Sequence, residues 1–333
     1  MNKANLARDF ITNNPTVKSK RAIAKELMVR YPEQFQNIEQ ARASVRLITG
    51  TIGDKNRAEY KDHEKIRFFY NGFEKWQEEN LNTENRPWDE PYIIPKQFKH
   101  LNVISDLHSV YLDGKVMTAF LKRTSDKEAI LINGDLMDSE SLSRHLISHN
   151  AVEYDRETDI CRQILIGLKQ EFTHVYFKEG NHDFWLERYL LINSRAMINT
   201  FKERGVNVYE LLQCGSIGVH HIHNLQSWQY HDLEGIHGHE FPGFGMGKFP
   251  ATGLLDKWQT FKKRIDVKIL GSHCHMNDHA ISKKSKDGKF GEAWITPAMC
   301  KSFAYNPYKG NDQGWAELIV NNDDKVEVKM TVL

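Results

Sequence analysis

The chain has 333 residues, 40% of them apolar and 27% charged, enough for one large catalytic domain and a small accessory one. A formal net charge of +1 excludes a global field pulling it toward nucleic acid or membrane, so any such preference must be local. Four widely spaced cysteines with no Cys-x-x-Cys pair argue against a disulfide framework or a thiolate zinc site, and no segment reaches the ~18 apolar residues of a membrane span.

The opening MNKANLARDF lacks the apolar core of a secretion signal, so a reducing, cytoplasmic setting without a membrane partner is expected. Residues 1–67 read as a small all-α domain. Leu6, Phe10 and Ile11 fit a first helix closed by Pro15. Ala22, Ile23, Ala24 and Leu27 fit a second, with Ser19 as N-cap. A third starts near Asn37 with Gln40 as capping-box partner and carries Ala41, Val45 and Ile48 toward Gly50. Three short helices with a turn before the third outline a helix-turn-helix module. Residues 1–50 hold nine Lys or Arg against four acids, a local excess of +5. Arg42 and Arg46, four apart, share one helix face. With Lys20 and Arg21 they are the candidate nucleic-acid contacts; the competing reading is a solvated basic face on a packing bundle.

Residues 68–100 alternate aromatic and polar positions with Pro87, Pro91 and Pro95, as in an extended connector that packs through Trp76, Trp88 and Tyr92. From residue 101 to 333 short apolar runs alternate with helical stretches, an α/β pattern. The last part reads as strands: Ala293–Thr296, Trp315–Val320 and Val326–Val332.

Five polar clusters each follow an apolar, strand-like run. They are Asp106-Leu107-His108, Gly134-Asp135-Leu136-Met137-Asp138, Gly180-Asn181-His182-Asp183, His237-Gly238-His239 and Gly271-Ser272-His273-Cys274-His275. Side chains just past the carboxyl ends of neighbouring strands of an open α/β sheet converge on one crevice. Crowding that many carboxylates and imidazoles is costly unless divalent cations neutralise them. In Asp-x-His and His-x-His the ligands stand two residues apart, so on extended chain they point the same way. Mixed Asp, His and Asn donors suit manganese, with iron, zinc or nickel as alternatives.

The order Asp-x-His, Gly-Asp-x-x-Asp, Gly-Asn-His-Asp, His-Gly and His-x-His closely resembles the calcineurin-like metallophosphoesterase superfamily, over Leu101 to His275. The resemblance implies a metallophosphoesterase β-sandwich flanked by helices, with a dinuclear metal centre. On the family pattern Asp106, His108 and His275 hold one metal, Asn181, His237 and His273 the other, and Asp135 bridges them. His182 is then the catalytic histidine beside the leaving group, oriented by Asp138. The pattern places the fourth-motif ligand at His237, with His239 as the alternative. One departure is Ser272, which stands where the family has glycine before the first His of its last motif. The Arg-Gly pair of Ser/Thr protein phosphatases is replaced by Ser139-Glu140, which weakens that reading. The expected activity is two-metal hydrolysis of phosphate esters, first of all as a nuclease or phosphodiesterase on nucleic acid recruited by the basic module. The alternatives are a phosphomonoesterase or small-nucleotide phosphodiesterase, and a DNA-binding scaffold without turnover.

Overall fold

A computed structural model describes residues 2–14, 19–49, 90–143, 151–194, 197, 200–201, 204–242, 250–303 and 310–333. The chain divides into two compact units, Met1–Asn85 and Arg86–Leu333. Pro15, Gly50, Trp76, Pro87 and Trp88, used in the sequence reading, lie outside the described residues.

In the first unit α1 (Lys3–Asn13), α2 (Lys20–Arg30) and α3 (Ile38–Thr49) close around Leu6, Phe10, Ile23, Leu27, Ala41, Val45 and Ile48. Ser19 caps α2 by accepting from the Ala22 amide at 3.4 Å, and Asn37 accepts from Gln40 N at 3.0 Å. The Gln40 side chain reaches the Gln36 amide at 3.3 Å, one residue earlier than a standard capping box would place it. Phe35, in the turn before α3, is 2% exposed and completes the core. Arg42 and Arg46 do share a face, and both lie against Glu39, at 2.6 and 3.7 Å.

The second unit is a four-layer α/β/β/α sandwich. One six-stranded sheet runs β12-β11-β2-β3-β4-β5, with β2 (His100–Ile104), β3 (Ala129–Asn133), β4 (His174–Lys178) and β5 (Val219–Ile222) parallel, and β11 (Gly314–Val320) and β12 (Val326–Val332) added antiparallel. The other runs β1-β6-β7-β8-β10-β9, from β1 (Tyr92–Ile93), β6 (Trp228–Tyr230), β7 (Leu233–Gly235), β8 (Lys268–Gly271), β9 (Asp278–Ile281) and β10 (Glu292–Ile295).

Period-two alternation sorts each strand between two cores. Ile130, Ile132, Val175 and Phe177 face α4 (Gly114–Arg123) and α5 (Tyr154–Glu171), in the core that also holds Val116, Phe120, Leu165 and Leu168. Leu101, Val103, Leu131 and Tyr176 face the second sheet, where they meet Trp228, Tyr230, Leu270 and Trp294. Ile269, Ala293 and Ile295 point to the outer helix α6 (Pro250–Lys262). Strands buried on both faces read as continuous apolar runs, which is how β2, β3 and β4 stand out in the sequence. Tyr92 falls in β1 and meets Tyr176 edge-on at 6.1 Å. No helix among the described residues is long and apolar enough to cross a membrane.

Candidate metal centre

β2, β3, β4, β7 and β8 end on one edge of the sandwich, and the five clusters follow directly. Backbone hydrogen bonds stitch the loops together: Asp106 N to Gly134 O at 3.1 Å, His108 N to Asp135 O at 2.9 Å and Ser272 N to His237 O at 2.8 Å. The Asp135 carboxylate lies between two groups of imidazoles. Its Oδ2 is 3.1 Å from His237 Nε2 and 3.7 Å from His108 Nε2, and its Oδ1 accepts the His182 amide at 2.9 Å. On one side His275 Nε2 is 3.3 Å from His108 Nε2 and 3.2 Å from Asp106 Oδ1. On the other, Asp135, His237 and His273 offer donor atoms all within 4.8 Å of one another.

Two features mark this edge as built for cations. Asn181 Oδ1 is buried with no hydrogen-bond partner, and the buried Asp106 Oδ1 and His237 Nε2 have as close neighbours only His275 at 3.2 Å and Asp135 at 3.1 Å, a desolvation cost that an ion would repay. Asp106, His108, Asp135, His273 and His275 also have φ between 40° and 71°, the left-handed region. Such a residue costs up to about 1–2 kcal/mol, less for Asp and His, which enter this region more readily than most. Strain of this kind persists at sites with a task. The donor set of carboxylate, imidazole and amide oxygen fits two hard or borderline divalent ions.

The ring orientations agree. His108 Nδ1 is held by Asp138 Oδ1 at 2.9 Å, His237 Nδ1 donates to Asn133 O at 2.8 Å, and His275 Nδ1 is 3.8 Å from Cys300 Sγ. In each, Nδ1 is engaged behind the site and Nε2 faces it, the arrangement of a metal-ligating imidazole with an oriented tautomer. Burial lowers the His108 pKa, which favours the neutral form a ligand needs. Burial also acts against the charged form of His237, but the adjacent Asp135, with Asp106 and Glu240, outweighs it and lifts the ring to about 9. Burial, then the charge of His237, brings His273 down to about 4.

Each residue predicted for the metal centre has a place at or beside this edge, and one relation differs from expectation. Asp138 sends its carboxylate to His108, and it is its backbone carbonyl that accepts from His182 Nδ1 at 2.6 Å; the Asp138 carboxylate is 3.8 Å from that nitrogen. The ring of His182 also stacks on Trp185, at 4.4 Å and 19°. His239 is not among the donors grouped with Asp135; its Nδ1 lies 3.5 Å from Glu240 Oε2, its Nε2 is buried without a hydrogen bond, and burial pulls its pKa to about 3.

Ser272 has a definite task. Its hydroxyl donates to Asn133 O at 2.8 Å and receives Asn133 Nδ2 at 2.9 Å, while Trp228 Nε1 donates to Asn133 Oδ1 at 2.8 Å. This network ties the ends of β3 and β8 together behind His237, so the serine adds a cross-link that glycine could not.

Sequence reasoning missed one carboxylate under the loops, that of Glu157. Glu157 of α5 accepts from Asp138 N at 2.5 Å, Ser139 N at 3.0 Å and Ser109 Oγ at 3.0 Å. Asp183 accepts from Met137 N at 2.9 Å and Gly180 N at 2.7 Å. One signal existed for Glu157: the apolar stripe Leu168, Leu165, Cys161 runs back onto it, and an acid on a buried stripe needs a partner.

Among solved structures the fold is similar to a metallophosphoesterase from Sphaerobacter thermophilus, at 14% identity over 70% of this chain and 88% of that one, TM-score 0.38. It is also similar to Vps29 from Chaetomium thermophilum, at 10% identity over 72% and 97%, TM-score 0.34. A protein serine/threonine phosphatase from Saccharomyces cerevisiae matches at 14% identity over 72% and 82%, TM-score 0.33. No curated protein matches the sequence. Residues 99–308, well over half of the chain, match the model of the calcineurin-like phosphoesterases, and the chain belongs to that family of metal-dependent phosphoester hydrolases.

Proposed function

We propose that the chain is a manganese-dependent phosphodiesterase that cleaves nucleic acid held by its N-terminal helical unit. The reaction class rests on one observation, the Asp135 carboxylate set between His108 and His237 with buried donor atoms around it. Asp106, His108 and His275 would hold one ion, Asn181, His237 and His273 the other, with Asp135 shared. Bound there, the ions would supply a water of lowered pKa and neutralise charge on the phosphoryl oxygens. His182, whose Nδ1–H donates a hydrogen bond to the Asp138 carbonyl, keeps Nε2 for the leaving oxygen and in its protonated form donates to it.

The choice of nucleic acid rests on the local charge of +5 in residues 1–50. A covalently linked phosphate-binding module raises the concentration of diester at the metal edge. The helix-turn-helix reading of α1 to α3 and contact by Lys20, Arg21, Arg42 and Arg46 are parts of this proposal. So is a cytoplasmic setting, which suits four buried cysteines joined by no disulfide.

The test is manganese-dependent hydrolysis of bis-p-nitrophenyl phosphate against p-nitrophenyl phosphate, with metal content measured on the same sample. Faster diester cleavage supports the proposal. Preference for the monoester makes the chain a phosphomonoesterase. No turnover of either by protein carrying two ions leaves a binding scaffold.

A further inference from the structure

Lys178, the last residue of β4, has a side chain that is 0% exposed. A buried ammonium is tolerated only when its protons find acceptors. This one has Glu179 O at 2.8 Å, Asn224 O at 2.5 Å and Glu240 Oε1 at 3.0 Å. The Glu240 carboxylate in turn accepts from His237 N at 3.2 Å through Oε1 and from Gly238 N at 2.6 Å through Oε2. One ion pair thus runs from the end of β4 in the first sheet to the loop after β7 in the second.

That loop is tied to the ends of β3 and β8 by Ser272 N to His237 O and His237 Nδ1 to Asn133 O, and the ion pair supplies a tie to β4. β7 has three residues where β2, β3 and β4 have five, and Gly238 turns at φ +129°, a conformation without side-chain restraint. Glu157 and Asp183 hold the other loops by the same amide-to-carboxylate bonds, but neither forms an ion pair with a Lys or Arg among the described residues. A buried ion pair is seldom more stabilising than an apolar pair of the same volume; what it adds is a defined geometry. Here the geometry concerns His237, whose Nε2 stands 3.1 Å from Asp135 Oδ2.

We propose that Lys178 and Glu240 are a positioning pair that sets the affinity of the metal position served by His237. The inference rests on the dinuclear reading of the edge. It is tested on the full chain by titrating metal-free protein with Mn2+ and resolving two binding steps. Glu240→Gln and Lys178→Met each weaken one step by about 10–100-fold and leave the other near its original value. Lys178→Met leaves the Glu240 carboxylate without its ammonium, facing the His239 ring at 3.5 Å, and melts at lower temperature. The double variant has no unpaired charge, so it regains the melting temperature while its metal step stays weak. It also carries the test should Lys178→Met fail to fold. Unaltered affinity at both steps in the double variant overturns the proposal, as does equal weakening of both in proportion to lost stability. Uptake of fewer than two ions by the unaltered protein sinks the dinuclear reading along with it, whereas two ions in the parent and unaffected variants sink this inference alone.

Discussion

In the helical unit, Arg42 and Arg46 stand in solvent, 39% and 59% exposed, and share Glu39. At the metal edge Asp106, Asp135 and His237 are withdrawn from water, and Asn181 Oδ1 has no hydrogen-bond partner. The helices close on local caps and an apolar core. The edge holds five chemistry-bearing residues at positive φ. Unmet cost locates function: the edge carries strain and an orphaned donor that only a ligand offsets, whereas the basic face already has an internal counter-charge. Chemistry is therefore anchored in one region, and substrate preference is open to test in the other.

The sharpest way to break this contrast is Asp135→Asn. Loss of the shared carboxylate removes several kcal/mol of charge neutralisation, so turnover falls by about 10³ or more and metal content drops at both positions. Full activity in metal-free Asp135→Asn protein would end the two-ion reading. His182→Ala comes next. Losing acid assistance costs about 10²–10⁴ in kcat, and both ions stay bound. Simultaneous loss of metal would make His182 a ligand instead.

The same contrast explains what the sequence disclosed. Asp106, Asp135 and Asn181 were legible because each follows a strand buried on both faces, and such a strand reads as a mostly apolar run. Helix α3 was legible from Ala41, Val45 and Ile48 at helical spacing. The division into two sheets came from the family resemblance and not from periodicity, because β5, β6 and β7 have three or four residues, too few for an alternation to register. Phe35 was missed because no periodicity marks a turn residue that plugs a core. The pairing of Lys178 with Glu240 escaped because the two follow strands of opposite sheets, and sequence spacing says nothing about such pairings.

Smaller effects sharpen the picture of the edge itself. A Cβ at Gly180 would lie 2.2 Å from Asp135 Oδ1, and one at Gly134, φ +92°, 2.1 Å from His237 Nδ1. Gly180→Ala and Gly134→Ala should each weaken manganese binding by about 10–100-fold, read by titration, because each displaces a ligand or its support. Binding should also depend on pH. His237 lies near 9 in the metal-free protein, above its ordinary 6.5, so at neutral pH an ion must displace its proton. Affinity then rises about tenfold per unit as pH approaches 9 and levels off above it. Over the same range the metal-free protein loses stability, since a raised histidine pKa contributes fully below 6.5 and not above 9. An affinity flat between pH 7 and 9 would mean that His237 takes no ion.

The smallest effect decides the other half of the comparison. Arg42 and Arg46 are exposed, so their pairing with Glu39 is worth under about 1 kcal/mol, and phosphates can compete for them. In an Arg42→Glu, Arg46→Glu protein the melting temperature should barely move. Turnover of bis-p-nitrophenyl phosphate, which has no strand to grip, should also stay as it was. Polynucleotide binding should weaken, with the slope of log affinity against log salt falling by about one for each phosphate that an arginine no longer neutralises. An unchanged salt slope would reduce the basic face to a solvated surface. The metal edge would then have to recognise its substrate without help from α3.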